Sequence, residues 1–187
     1  MHKHKMTLKD LHIDNTWTLF LDRDGVINKK LDNDYVKNWI EFEFLDGVFD
    51  ALKICGNTFG NIVVVTNQQG IGKGLYRSDD LEIIHKNMVY EIAYHKGRID
   101  NVYFSPYLSS ANHPSRKPGI GMALQAKVDF PQIDFSKSVI VGDSLSDMAF
   151  GRNAKMHTAY ISHEYLVHPD IDFNFSSLIQ FALSLQP

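Results

Sequence analysis

Four short apolar runs, at residues 17–21, 61–66, 101–105 and 138–141, dominate this chain, and a weaker one follows at 157–161. Each is continuous rather than alternating. A strand with one wet face alternates apolar and polar residues, whereas a continuous β-branched or aromatic run buries both faces. Such strands belong in a parallel sheet between two layers of helix. Between the runs lie segments with helical spacing. Val48, Leu52 and Cys55 form a stripe within 45–55, and Leu81, Ile84, Met88, Ile92 and His95 recur through 79–96. Shorter helices are expected at 120–128 and 146–153. A last one is expected within 173–185, capped by Ser176 or Ser177. The fold class is therefore α/β, with a mainly parallel sheet of about five strands joined by right-handed crossovers.

With 187 residues, 44% of them hydrophobic, the chain suits a single domain with a real core. Residues 1–15 read as a polar N-terminal arm, with His2 and His4 on its surface, and 16–187 as the domain. A net charge of −3 gives no electrostatic case for nucleic acid or an anionic membrane. No run is long enough to span a bilayer. A lone cysteine, Cys55, allows no internal disulfide. The expectation is a cytoplasmic monomer that handles a small molecule.

In α/β folds ligands gather at the carboxyl ends of the strands. Three of those ends carry phosphate- and metal-handling groups. Asp22-Arg23-Asp24-Gly25 follows the first run: one carboxylate can attack phosphorus, the other can move a proton, and oxygen ligands suit a hard cation such as magnesium. Thr66-Asn67 follows the second, where a hydroxyl and backbone N–H groups can bind phosphate oxygens. Gly142-Asp143-Ser144-Leu145-Ser146-Asp147 follows the fourth, with a second acid four residues after the first. Arg116-Lys117-Pro118 adds a point charge for a phosphoryl group and a fork for a second anion. Alone, each set is an ordinary polar turn; the specificity lies in their order. Gly70-Ile71-Gly72-Lys73-Gly74 fails both nucleotide-loop patterns, because Asn67 and Gly74 break the Walker spacing and Leu75 the dinucleotide one. It reads as a flexible loop beside the site, with Lys73 solvated.

The combination resembles the haloacid dehalogenase superfamily of aspartate-nucleophile phosphatases. Within it the chain is most similar to D-glycero-D-manno-heptose 1,7-bisphosphate 7-phosphatases and the related histidinol-phosphatases. The matching stretches are FLDRDGVIN at 20–28, FEFLDGV at 42–48, VVVTNQQGIGKGLY at 63–76, RKPGIGM at 116–122 and VGDSLSDM at 141–148. The resemblance implies a Rossmann-like three-layer sandwich without a large cap domain. It implies Asp22 as nucleophile and magnesium ligand, and Asp24 as general acid then base, its carbonyl also on magnesium. Thr66 and Lys117 would hold the phosphoryl group. Asp143 would ligate magnesium with Asp147 in support, and Asn28, Asn67, Gln68, Arg116 and Ser144 would meet substrate.

These relatives commonly carry zinc in the loop before Arg-Lys-Pro, on Cys-x-His and Cys-x-Cys. Here Ser105-Pro106-Tyr107 and His113-Pro114-Ser115 stand instead. Only His113 could serve a zinc that needs four ligands, so none is expected. Two substrate readings stand, heptose bisphosphate first and histidinol phosphate or another small sugar phosphate second. A non-catalytic sugar-phosphate-binding module is a third reading, but no required acid has been lost.

Overall fold

The computed structural model describes residues 6–186. His2 and His4 lie outside them. The apolar runs become strands β1 (Thr18–Leu21), β2 (Asn61–Asn67), β3 (Asn101–Ser105), β4 (Ser138–Gly142) and β5 (His157–Ile161), and a sixth, β6, covers Phe173–Phe175. All pair in parallel, in the order β3-β2-β1-β4-β5-β6.

Both faces are dry, which explains the continuous patterning. Leu19, Leu21, Ile62, Val64, Val139 and Val141 point to one face, under helices α1 (Val48–Thr58), α2 (Ser78–Tyr94) and α5 (Leu178–Leu183). Phe20, Val63, Val65 and Ile140 point to the other, under α3 (Gly121–Asp129) and α4 (Leu145–Ala154). Alternate residues of one strand thus feed two cores. Leu8 of the arm is buried in the first core, with Leu11 and Ile13 against it, so the described part of the arm packs on the domain.

The last helix starts where its cap was expected, after Ser177, whose side chain accepts from the Gln180 N–H, and Phe173–Phe175 ahead of it forms a strand beside β5. Two local readings change. The first helix starts at Val48 rather than 45, because Gly47 holds φ 75°, a left-handed conformation that ends the preceding turn. His95 lies beyond the last turn of α2 and is exposed, while His85 takes the inward position.

Between β1 and α1 there is no inserted domain. That stretch holds a 3-10 turn at Trp39–Glu41 and two isolated β-bridges, Asp24 with Asn28 and Asn28 with Phe44; the Trp39 ring stacks against Phe42 at 4.9 Å, with Phe44 edge-on to both.

Candidate active site

Strand register assembles the site. Leu21 of β1 pairs with Val64 of β2 and with Val141 of β4. Asp22 comes one residue after Leu21, and Thr66 and Asp143 come two residues after its partners. The Asp22 N–H still donates to the Val141 carbonyl, 2.9 Å away, so the nucleophile candidate is an extension of the ladder. A cleft of 280 Å³ opens there, lined by Asp22, Asp24, Thr66, Gln68, Lys117 and Asp143 among others.

Lys117 is the hub of the charge arrangement. Its buried ammonium donates to the Val65 carbonyl (2.7 Å) and faces Asp22 Oδ1 at 2.9 Å and Asp147 Oδ1 at 2.6 Å. The ammonium thus combines one hydrogen bond to the backbone with ion pairs to two carboxylates. Burial would lower the Lys117 pKa, but the Asp147 and Asp22 charges outweigh it and push it up. Asn67 fixes the backbone here: its amide donates to the Lys117 carbonyl and accepts from the Lys117 N–H. Asp147, fully buried, also caps α4 by accepting from Ser144 N–H and Oγ–H.

Asp22 and Asp24 sit in opposite electrostatic settings. Burial, then the Asp147 charge, raises the Asp22 pKa to about 7 against the pull of Lys117. Burial also acts on Asp24, but the Arg23 charge and hydrogen bonds from Arg23, Asn28 and Gln68 overcome it and hold that carboxyl below its usual range. Arg23 Nη2 reaches both Asp24 oxygens, at 2.9 and 3.1 Å.

A hard cation fits the acidic side of the cleft. Asp22, Asp143 and Asp147 bring ligand atoms within 4.8 Å of one another. Asp147 Oδ2 accepts from Ser144 and its Oδ1 is ion-paired with Lys117, while among the described residues the buried Asp143 Oδ1 has no hydrogen-bond partner. An all-oxygen set with an unsatisfied carboxylate atom suits magnesium. Gly25 is what allows the approach: at φ 86°, a Cβ there would fall 2.2 Å from Asp143 Oδ2.

The loop before Arg116 is closed by hydrogen bonds. Ser105 Oγ lies 3.0 Å from Ser115 Oγ, which lies 2.7 Å from His113 Nδ1, and the Tyr107 ring stacks on His113 at 3.5 Å.

This geometry has close counterparts. The D-glycero-alpha-D-manno-heptose-1,7-bisphosphate 7-phosphatase of Mycobacterium tuberculosis is 37% identical over 90% of this chain and 91% of its own. The chain belongs to the heptose-bisphosphate phosphatase family of the haloacid dehalogenase superfamily. A Campylobacter jejuni enzyme of the same name is 37% identical over 87% of this phosphatase and 92% of its own length. The family model for polynucleotide kinase 3 phosphatase matches residues 14–184. Among solved structures, the D,D-heptose 1,7-bisphosphate phosphatase of B. bronchiseptica, complexed with magnesium and phosphate, aligns with a TM-score of 0.81 at 25% identity, covering 90% of this chain and 97% of that one.

In this phosphatase the substrate candidates divide. Asn67, Gln68, Arg116 and Ser144 line the cleft, with Arg116 donating to the Tyr107 carbonyl. Asn28 is fully buried behind Asp24, to which its amide donates at 3.0 Å. Sequence reasoning missed Lys30 and Tyr35, which line the opening, and Tyr76 and His85, which support it from behind. Lys73 is exposed, as expected, and its ammonium meets the Tyr35 hydroxyl at 2.9 Å. His85 left a trace in the sequence, since it stands four residues after Leu81 on a stripe that is otherwise apolar.

Proposed function

We propose that this protein hydrolyses the 7-phosphate of D-glycero-D-manno-heptose 1,7-bisphosphate through a phosphoryl group carried on Asp22. The observation that carries the reading is the Lys117 ammonium held between Asp22 and Asp147, beside an acidic, oxygen-only cation site. The relatives matched over most of the chain are named for this reaction on the α anomer. We take that anomer as the substrate, although a Helicobacter pylori relative, 36% identical over 74% of this chain, is named for the β anomer.

In the first step an Asp22 carboxylate oxygen attacks phosphorus, and the bond from phosphorus to the sugar oxygen breaks. Asp24 delivers a proton to that leaving oxygen. The arriving anionic phosphoryl group favours protonated Asp24, against the donors that hold it as carboxylate at rest. In the second step Asp24, again a carboxylate, takes a proton from water as the water oxygen attacks phosphorus. The bond to Asp22 breaks and phosphate leaves. Lys117 and the Thr66 hydroxyl hold the equatorial oxygens, where charge placement does most of the work. Asp22, Asp143 and the Asp24 carbonyl would hold magnesium, which when bound would neutralise charge between nucleophile and phosphate. Asn67, Gln68, Arg116 and Ser144 contact substrate, and no zinc is required. In the same reading residues 16–187 work as one cytoplasmic, monomeric domain with no nucleic-acid or membrane partner. Among the described residues, no helix is long and apolar enough to cross a membrane.

The test is magnesium-dependent phosphate release from the two heptose bisphosphate anomers, histidinol phosphate and sugar monophosphates. The α-bisphosphate is expected to give the highest kcat/KM, and Asp22→Asn to abolish release. Undiminished release by Asp22→Asn would sink the mechanism, and a preference for histidinol phosphate would sink the substrate.

A further inference from the structure

Arg23 is completely buried between the cleft and helix α2. Its Nη2 serves Asp24, its Nη1 lies 3.2 Å from His85 Nε2, and its Nε has no hydrogen-bond partner. The Phe42 ring lies 5.9 Å from the guanidinium carbon, so the plane is fitted against an apolar surface. A guanidinium has donors and no acceptor. His85 Nε2 must therefore accept, which puts the imidazole proton on Nδ1. Among the described residues, polar contact fixes the fork at two points, Asp24 in front and His85 behind.

We propose that His85 is a positioning residue, which through Arg23 sets the orientation of the Asp24 carboxyl for proton transfer. The inference rests on the reading of Asp24 as the group that moves protons. His85 is 8% exposed and does not line the cleft, so it has no route to substrate.

A simple packing role explains the position less well. His85 shares the inward stripe of α2 with Leu81, Ile84, Met88 and Ile92, where an apolar residue would fill space without desolvating an imidazole. What an apolar residue cannot supply is an acceptor for a buried guanidinium, whose unmet donor is costly. Burial, then the Arg23 charge, pushes the His85 pKa down to about 3, in keeping with a neutral ring whose Nε2 accepts. Gln68 receives comparable support on the other side of Asp24. Tyr76 Oη donates to Gln68 Oε1 at 2.5 Å, and Gln68 Nε2 donates to Asp24 Oδ2 at 2.8 Å.

The experiment compares full-length wild type, His85→Leu and His85→Gln in steady-state phosphate release from the α-heptose bisphosphate. Leu keeps bulk and removes the acceptor, while the Gln carbonyl oxygen falls near the place of Nε2. His85→Leu is expected to lower kcat by about 10- to 100-fold, the usual cost of losing an outer support, with KM changed by less than about twofold. His85→Gln is expected to return most of the loss. A wild-type kcat in His85→Leu, a loss confined to KM, or a Gln variant as slow as the Leu variant overturns the inference. Nitrogen-15 NMR of the wild type decides the matter if His85→Leu does not fold. A neutral ring with unprotonated Nε2 supports the proposal, and a protonated Nε2 overturns it. Absence of phosphate release by the wild type would instead bring down the functional reading itself.

Discussion

The Lys30 ammonium lies 2.7 Å from Asp143 Oδ2, so a carboxylate offered to a divalent cation is already paired with a cation of the chain. A metal must share Asp143 with Lys30 or displace it. The Lys30 side chain is 54% exposed, which limits such a pair to at most about 1 kcal/mol. Lys30→Met is therefore expected to bind magnesium up to about fivefold more tightly in the absence of substrate. Isothermal titration calorimetry measures it, and weaker binding would show that Lys30 assists the metal.

The raised Asp22 pKa predicts a stability effect. Burial, then the Asp147 charge, pushes its carboxyl up to about 7, from an ordinary value near 4. Between about pH 4 and about pH 7 the folded state keeps a proton that the unfolded state has released, so this group's stabilisation is lost as pH rises through that window. Asp143, also pushed up by burial, acts in the same direction, and Asp24, held low, acts oppositely. The measurement is therefore a difference: unfolding free energy of wild type against Asp22→Asn across the window, in chelator. Wild type should lose on the order of a few kcal/mol relative to the variant. Magnesium, by favouring the carboxylate, should shrink the difference. Parallel curves in chelator would contradict the assignment.

Arg116 lines the cleft and donates to the Tyr107 carbonyl rather than to the buried carboxylates that Lys117 serves. A guanidinium on a second phosphate is worth roughly 1.5–3 kcal/mol. Arg116→Ala should raise KM for the bisphosphate by about 10- to 100-fold while leaving a heptose 7-monophosphate nearly unaffected. Equal effects on both substrates would mean that Arg116 does not read the second phosphate.

The loop closed by Ser105, Ser115 and His113 predicts independence from zinc. Elemental analysis of purified protein should find no stoichiometric zinc, and a zinc-selective chelator in excess magnesium should leave activity intact. Ser115→Ala removes contacts to both neighbours and should cost about 1 kcal/mol in unfolding free energy. Stoichiometric zinc that survives purification would refute the loop's self-sufficiency.

The parts of this molecule legible in its sequence are those governed by one-dimensional pattern. Buried strands such as β4 have an unbroken apolar interior, Val139 to Val141, so their ends stand out and with them Asp22, Thr66 and Asp143. β6 was not legible because three residues cannot establish a period, whereas Ser177 two residues on correctly marked the start of the last helix. Lys30 and Tyr35 come from an irregular stretch whose path depends on the aromatic packing of Trp39, Phe42 and Phe44. His85 acquires its meaning only from Arg23, 62 residues earlier in the chain.

The register of Leu21 with Val64 and Val141 has an evolutionary corollary. Asp22, Thr66 and Asp143 are indexed to the hydrogen-bond ladder, so one inserted or deleted residue in any of three strands would turn a reacting group into the core. Arg116, Tyr35 and Lys30 are carried by connections outside the sheet, which tolerate changes of length. Descendants of this chain can therefore exchange one phosphorylated metabolite for another by editing loops, while phosphoryl transfer itself is inherited intact.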